Sequence, residues 1–289
     1  METTPLHPRL GVELHGLDLR DVTAKSGYPG LRALFETHSA LLIRNQTLTD
    51  ADHMAFASLF GPIEDRKADE RKEGEAFEVP RVSNETPGGV TDADDLHSLN
   101  LKSNMLWHAD STFMPAPALT NILIARVVTS EGGNTELASS RAAFADFPED
   151  LKARLRGLRF RHHYSHSRAR ISPELAALPM FHKWPEQSWP AVWKNPVTGD
   201  EALYIASHAF AVEGLEEKEG QALIDDLTER ATVPDYVYSH RWAPGDVLIW
   251  DQRAVLHRGT PWPPDEPRTL TSLCVTTTEA DGLADMRAR

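Results

Sequence analysis

The chain has 289 residues, 40% of them hydrophobic, and a formal net charge of −13; it is long enough to bury a sizeable core. The negative charge argues against binding to nucleic acid or to an anionic membrane surface, and no apolar run approaches the roughly 20 residues of a membrane span. A single cysteine, Cys274, excludes an intrachain disulfide, and the N-terminus lacks the pattern of a signal peptide. We therefore expect a cytoplasmic protein.

The first part of the chain predicts alternating strands and helices. Residues 1–20 carry recurring leucine and valine with glycine turns, which is typical of a pair of strands. Residues 28–38 have apolar side chains at i, i+3 and i+4 and predict a helix, and Ala40–Ile43 predicts a short strand. Thr49 is the predicted N-cap of a second helix, which ends at Gly61-Pro62.

Two regions have the composition of mobile loops, near 64–104 and near 160–192. Near 64–104, a run of charged residues is followed by a stretch rich in Gly, Pro, Asp, Ser and Asn, which indicates solvated surface and then a loop from 85 to 104. Near 160–192, the pattern is irregular and rich in histidine. We expect no regular structure to dominate either region.

The rest of the chain predicts mainly strands. We expect strands at 119–129, from Asn134, at 202–206, 235–242 and 269–277, and helices after Ser140, after Pro148 and at 216–231. Gly132-Gly133 predicts a turn. The apolar run Val247–Trp250 predicts one more strand, which resumes after a polar break as Ala254–Leu256 and leads to His257.

Three metal-ligating side chains come from two distant stretches. His108 and Asp110 lie two residues apart, and residues i and i+2 of a strand point to the same face, so one strand would present both to one ion. Together with His257 they form the set of two histidines and one carboxylate that holds non-haem Fe(II) and leaves positions open. A zinc hydrolase could use the same set, but the His-Glu-x-x-His motif is absent.

The distance in sequence between His108 and His257 constrains the fold. Only a fold that returns the chain to the same opening can bring both imidazoles to one ion. With many short strands and helices near both ends, this favours a mainly β fold with flanking helices, a double-stranded β-helix or jelly roll. No internal repeat or long linker divides the chain, so we expect a single domain, 1–289.

The same residues carry a resemblance to a known family. His108-x-Asp110, Gly132-Gly133-Asn134-Thr135, Trp250-Asp251-Gln252-Arg253, His257 and Arg268 follow one another in the order and at the spacing of the taurine/2,4-dichlorophenoxyacetate dioxygenases. The chain resembles that family over nearly its whole length. The resemblance implies an oxygenase that depends on Fe(II), 2-oxoglutarate and O₂ and releases succinate and CO₂.

The resemblance also implies roles for individual residues. It makes His108, Asp110 and His257 the catalytic metal ligands, and Thr135 and Arg268 the residues that bind the distal carboxylate of 2-oxoglutarate. Arg268 follows His257 by eleven residues, which is the interval found in the family. A hydroxyl and a guanidinium are complementary donors to one carboxylate.

The substrate subsite departs from the family pattern. The best-known members carry a second arginine fifteen residues after the distal histidine, where this chain has Ser272. Ser272 and Asn104, which matches a substrate-contacting asparagine of a family member, are the candidate substrate-binding residues. Lys102, Arg66 and Arg168 are the candidates for a replacement cation.

The local sequence predicts an organic acid as substrate. The stretches 106–112 and 253–259 most resemble the branch that acts on aryloxyalkanoates, so we predict hydroxylation next to an ether oxygen, which cleaves the ether. Two alternatives stay open: a tailoring hydroxylase or desaturase of an amino-acid-like metabolite, and a cupin-like metal-binding protein without turnover. Family members often form dimers or tetramers, so we expect a homo-oligomer that acts on a small molecule.

Overall fold

A computed structural model describes residues 1–86, 88–92 and 94–289. Its strands are β1 (Glu2–His7), β2 (Leu10–His15), β3 (Ala40–Ile43), β4 (Arg81–Ser83), β5 (Glu85–Thr86), β6 (Gly89–Val90), β7 (Ala118–Val127), β8 (Thr135–Ser139), β9 (Arg159–His162), β10 (Gln187–Pro190), β11 (Val192–Lys194), β12 (Glu201–Leu203), β13 (Ala209–Val212), β14 (Val237–His240), β15 (Val247–Asp251), β16 (Val255–Gly259) and β17 (Thr269–Thr276). Its helices are α1 (Tyr28–His38), α2 (Asp50–Ala57), α3 (Leu96–Ser103), α4 (Ser140–Asp146), α5 (Glu149–Arg156), α6 (Tyr164–Ala169), α7 (Pro173–Ala176), α8 (Glu217–Ala231) and α9 (Leu283–Ala288).

Two sheets form the centre of the molecule. The main sheet has the order β1-β2-β3-β15-β7-β17-β4, and a smaller sheet has the order β14-β8-β16. Leu137 and Val255 of the smaller sheet pack in one cluster with Leu248, Trp250 and Leu270 of the main sheet. The two sheets therefore face each other across a shared apolar core, as in the predicted mainly β fold.

Helices cover the other face of the main sheet. Leu31 and Phe35 of α1 and Phe56 of α2 pack against Ile122 of β7 and Ile249 of β15. Because β15 and most of β7 are covered on both faces, they read as continuous apolar runs rather than as alternating patterns.

Several local predictions are confirmed. The helix at 28–38 and the strand Ala40–Ile43 have the predicted bounds. Thr49 caps α2: its hydroxyl accepts the amide of Asp52 at 3.1 Å, and the carboxylate of Asp52 accepts the amide of Thr49 at 2.8 Å. Two bounds were wrong, since α2 ends at Ala57 before Gly61-Pro62 and Ser139, not Ser140, caps α4.

The two regions expected to be irregular contain regular elements. The stretch 85–104 includes α3, which begins after the N-cap Asp95, and 160–192 includes α6, α7 and β10. These elements are short and are held by packing, because leucines of α3 and α7 join one aromatic cluster around Phe113 and Tyr164. Positions 87 and 93 of the first region lie outside the described residues, and the mobility of both regions stays a prediction.

The part of the chain that the structure describes contains no helix long and apolar enough to cross a membrane.

Candidate active site

A backbone bridge holds the two candidate histidines side by side. The amide of His108 donates to the carbonyl of His257 at 3.0 Å, and the amide of His257 donates to the carbonyl of His108 at 2.8 Å. The Nε2 atoms of His108 and His257 lie 3.7 and 3.6 Å from the two carboxylate oxygens of Asp110. One ligand atom from each of the three side chains therefore lies within 4.8 Å of the other two.

The predicted strand that would carry both His108 and Asp110 is not formed. His108 makes only an isolated bridge, and the chain then turns through Ser111, which has a φ of 59°. β16 already pairs with β8 along its length, so the segment around His108 meets only one residue of β16. Asp110 reaches the histidines from this turn and not from the i+2 position of a strand.

The surroundings of the three side chains give them the protonation states that a divalent cation needs. Burial lowers the pKa of His108, and it lowers the pKa of His257 to about 3, so both imidazoles are neutral at pH 7. The Nδ1 atom of His108 lies 2.7 Å from the carbonyl of Leu106, which leaves its Nε2 lone pair toward Asp110. Burial would raise the pKa of Asp110, but the neighbouring histidines lower it to about 2. This donor set fits Fe(II).

Two amides hold one oxygen of the Asp110 carboxylate. Gln252 Nε2 donates to Oδ2 at 2.6 Å, and Asn121 Nδ2 donates to the same oxygen at 2.9 Å. The amide of Asp110 donates to Gln252 Oε1 at 2.9 Å, which orients the glutamine, and Ser272 Oγ donates to Asn121 Oδ1 at 3.0 Å. The other carboxylate oxygen remains available for a cation. Gln252 belongs to the Trp-Asp-Gln-Arg motif that the sequence analysis singled out. No sequence signal pointed to Asn121, which lies within β7.

Arg268 is a buried cation without an acidic partner. Its side chain is 5% exposed, and its Nε and Nη2 atoms donate to the carbonyl of Gly133 at 3.1 and 2.7 Å. Burial lowers its pKa to about 10, so it is still charged at pH 7. It forms no ion pair with an Asp or Glu in the described ranges, and an uncompensated buried charge favours binding of an anion.

The two glycines before Thr135 make room for this arrangement. A Cβ on Gly133, which has a φ of 61°, would lie 2.8 Å from Arg268 Nε, and a Cβ on Gly132 would collide with the carbonyl oxygen of Pro261. Thr135 Oγ1 accepts the indole N–H of Trp242 at 3.1 Å, so its own O–H remains to donate.

One cavity of about 840 Å³ lies between the two sheets. All seven predicted site residues line it: Asn104, His108, Asp110, Thr135, His257, Arg268 and Ser272. Of the three candidate cations, Arg66 and Arg168 line the cavity, whereas Lys102 is not part of its lining. The cavity therefore joins the metal-ligating cluster, the buried arginine and further positive charge.

The whole chain matches known proteins with this architecture. Residues 2–274 match the taurine catabolism dioxygenase TauD, TfdA family. The chain belongs to this family. It is 36% identical over 279 residues to an (S)-phenoxypropionate/alpha-ketoglutarate-dioxygenase of Sphingobium herbicidovorans, with 93% of this chain and 92% of that protein covered. It is 35% identical over 261 residues to an alpha-ketoglutarate-dependent 2,4-dichlorophenoxyacetate dioxygenase of Cupriavidus pinatubonensis, with coverages of 88% and 90%.

A solved structure agrees with this assignment. AAD-2 in complex with Mn(II) and N-oxalylglycine superposes with a TM-score of 0.89 at 30% identity, over 96% of this chain and 98% of that one. The family and the jelly-roll fold predicted from the sequence are confirmed, and the protein is a TauD/TfdA dioxygenase. Membership of the family implies Fe(II), 2-oxoglutarate and O₂ as the groups that the enzyme uses.

An aromatic cluster lies behind one side of the dioxygenase cavity. Tyr164, which lines the cavity, stacks on the buried Phe113 with ring centroids 3.7 Å apart and planes 5° apart, and Trp184 lies 5.6 Å from Phe113. His208 contacts Phe113 edge-on at 4.8 Å and lies 6.3 Å from His108. The cluster therefore reaches from His108 to α6 and holds Tyr164 in place at the cavity surface.

Proposed function

We propose that this dioxygenase hydroxylates an aryloxyalkanoate at the carbon next to the ether oxygen. In this proposal, His108, Asp110 and His257 hold Fe(II), and Thr135 and Arg268 bind the distal carboxylate of 2-oxoglutarate. The observation that carries the proposal is that a three-ligand cluster and a buried arginine without an acidic partner share one cavity.

The side chains prepare the reaction by holding the reactants. Two neutral imidazoles and one carboxylate would hold the cation and leave coordination positions open for the reactants. The bound groups supply the oxidising chemistry: 2-oxoglutarate is converted to succinate and CO₂ while one oxygen atom of O₂ enters a substrate C–H bond. Arg268 neutralises the distal carboxylate and the Thr135 hydroxyl donates to it, which fixes the orientation of the keto acid.

The choice of substrate is supported by the cavity and by the relatives. The relatives are named for phenoxypropionate and 2,4-dichlorophenoxyacetate, both aryl ethers of a short carboxylic acid. The aromatic side chains in the lining, Phe77, Tyr164, Trp250 and Trp262, suit the aryl group, and cavity arginines suit the carboxylate within a molecule whose net charge is −13. Asn104 and Ser272 are proposed to contact the substrate. Hydroxylation next to the ether oxygen gives a hemiacetal, which breaks into a phenol and an oxo acid.

A succinate-release screen tests the proposal. We expect succinate and a phenol when enzyme, Fe(II), O₂, 2-oxoglutarate and an aryloxyalkanoate are combined, and no substrate-dependent succinate with sulfonates or amino acids. His108→Ala and Arg268→Ala should abolish turnover, whereas the exposed Arg230→Ala should not. Intact turnover in either site variant, or no succinate with any aryloxyalkanoate, would contradict the proposal.

Cytoplasmic location and assembly into a dimer or tetramer are also part of the proposal. Light scattering of the purified enzyme tests the assembly, because a homo-oligomer must show a multiple of the 32.2 kDa chain mass.

A further inference from the structure

The buried arginines in the described part of the chain differ in whether their charge is compensated. Arg253, Arg268 and Arg168 are 2%, 5% and 7% exposed. Arg253 pairs with Asp251 at 2.8 Å and with Glu36 at 2.6 Å. Arg268 and Arg168 form no ion pair with any acidic residue that the structure describes, and both line the cavity. The cavity therefore has two buried cations for which the described residues supply no anion.

Neutral groups hold Arg168 in place. Its guanidinium donates to Ser167 Oγ at 2.9 Å, to Asn100 Oδ1 at 3.3 Å and to the Tyr164 hydroxyl at 3.4 Å. It also lies over the rings of Tyr164 and Phe181, at 4.4 and 5.1 Å from their centroids. Burial lowers its pKa, yet a guanidinium stays charged at neutral pH. These contacts fix its position without compensating its charge.

The other arginine proposed from the sequence that lines the cavity, Arg66, is already neutralised. Arg66 Nε lies 2.5 Å from Glu64 Oε1, and its Nη2 donates to Ser111 Oγ at 2.9 Å. An incoming anion would have to compete with the buried carboxylate of Glu64 for this guanidinium. Arg168 has no such competitor, so it is the stronger anion site of the two.

We propose that Arg168 binds the anionic group of the organic substrate. The inference deepens the proposed function and rests on it. In this arrangement, Arg268 takes the carboxylate of 2-oxoglutarate and Arg168 takes the carboxylate of the aryloxyalkanoate. Arg168 thereby replaces the family arginine at Ser272, whose hydroxyl is directed to Asn121 and so supports Asp110.

The contacts of Tyr164 connect this anion site to the metal-ligating cluster. Arg168 lies over the Tyr164 ring, Tyr164 stacks on Phe113, and Phe113 is three residues from Asp110. The carboxylate of Asp110 is one of the groups that raise the pKa of Arg168, and Asp110, Tyr164 and Arg168 line the same cavity. A substrate held at Arg168 therefore lies in the same cavity as the candidate metal ligands, which suits a short carboxylic acid on an aryl body.

Binding of a matched acid and amide tests the inference without turnover. Phenoxyacetate and phenoxyacetamide are titrated calorimetrically into enzyme loaded with Mn(II) and N-oxalylglycine. The wild type should bind the acid about 10- to 100-fold more tightly than the amide, because one charge-assisted contact is lost in the amide. Arg168→Met should remove most of this preference. Arg170→Met, at an exposed arginine two residues away, should keep it.

Arg168→Lys separates charge from packing, should Arg168→Met prove unstable. A lysine retains the charge but lacks the bidentate fork, so the preference should lie between that of the wild type and that of Arg168→Met and should not vanish. Equal wild-type affinity for acid and amide, or an unchanged preference in both Arg168 variants, overturns the inference.

Succinate release distinguishes this inference from the proposed function. Succinate formed with phenoxyacetate, but with an acid preference that does not depend on Arg168, overturns only the role of Arg168. An Arg168-dependent acid preference without succinate supports the anion site and contradicts the proposed reaction.

Discussion

Arg253 and Arg268 are both buried, but their surroundings are opposite. Arg253 donates to both oxygens of Asp251 and to Glu36, and these carboxylates raise its pKa although burial alone would lower it. In the described part of the chain, the guanidinium of Arg268 donates only to the backbone carbonyl of Gly133, and burial lowers its pKa to about 10. A buried guanidinium whose charge is compensated by carboxylates stabilises the fold. A guanidinium in a cavity whose charge is not compensated is available for a ligand.

The ion-pair network of Arg253, Asp251 and Glu36 positions the strand that carries His257. Asp251 ends β15 and Arg253 lies in the turn before β16, while Glu36 belongs to α1. Glu36 also accepts from Asn195 Nδ2 at 2.6 Å. The network thus ties α1 to the turn that delivers His257, and two residues of the Trp-Asp-Gln-Arg motif have a structural role rather than a ligand-binding one.

Arg253→Met should have the largest effect on stability. It leaves the buried carboxylates of Asp251 and Glu36 without their main cation, and breaking a buried ion pair in this way costs about 3–5 kcal/mol of unfolding free energy. Urea unfolding measures the loss. Arg230→Met breaks an exposed pair with Asp226 and should cost no more than about 0.5 kcal/mol. Equal losses in the two variants would contradict the structural role of Arg253.

Arg268→Gln should leave the stability unchanged and weaken the binding of 2-oxoglutarate. The variant removes a buried charge that no acidic residue of the described chain compensates, so the unfolding free energy should not fall. The KM for 2-oxoglutarate should rise at least about 100-fold, because a buried charge-assisted contact is lost. Steady-state kinetics with varied 2-oxoglutarate check this. An Arg268→Gln enzyme that unfolds as readily as Arg253→Met, with an unchanged KM, would show that the two arginines do not differ as stated.

Gln252→Glu should weaken metal binding and spare the fold. The change replaces the amide donor that lies 2.6 Å from Asp110 Oδ2 by a second carboxylate, which repels it. Loss of a group that orients a metal ligand typically weakens affinity about 10- to 100-fold. Isothermal titration with Mn(II) measures the affinity. Gln221→Glu, on α8, should leave it unchanged, and identical affinities in both variants would exclude a supporting role for Gln252.

His162 should make stability depend on pH. Burial lowers its pKa from 6.5 to about 3, so below pH 6.5 the unfolded chain binds a proton that the folded chain does not. The contribution of the neutral, buried His162 to the free energy of unfolding is present in full above pH 6.5 and is lost as the pH falls toward 3. Between pH 7 and 5, this amounts to about 2 kcal/mol of unfolding free energy.

His162→Leu should remove that part of the pH dependence, whereas the exposed His182→Leu should keep it. Urea unfolding of both variants at pH 7 and pH 5 provides the comparison. A slope in His162→Leu equal to that of the wild type would assign the pH dependence to other groups.

Local signals allowed part of the fold to be predicted from the sequence. The bounds of α1 follow from apolar periodicity, and the start of α2 follows from the capping pair Thr49 and Asp52. The helix α3 was missed because eight residues in a Gly- and Pro-rich context carry little periodicity, and packing against the aromatic cluster stabilises them.

The candidate site, like the fold, could be predicted from the sequence only in part. The motif spacing predicted that His108, Asp110 and His257 lie together, and the structure brings one ligand atom of each within 4.8 Å of the others. The support of Asp110 by Asn121, and of Asn121 by Ser272, was not foreseen. These contacts join side chains that are separated by 11 and by 151 positions in the chain, and such contacts leave no local pattern. Only the family resemblance set Arg268 apart from Arg253, because the physical difference lies in which carboxylates fold against each guanidinium.

The most direct test is anaerobic Fe(II) binding to the wild type and to His257→Ala, with His182→Leu as the control. The wild type and the control should each bind one Fe(II) per chain, and His257→Ala should bind none at the same metal concentration. Unchanged stoichiometry and affinity in His257→Ala would contradict the central claim that His108, Asp110 and His257 form one metal site.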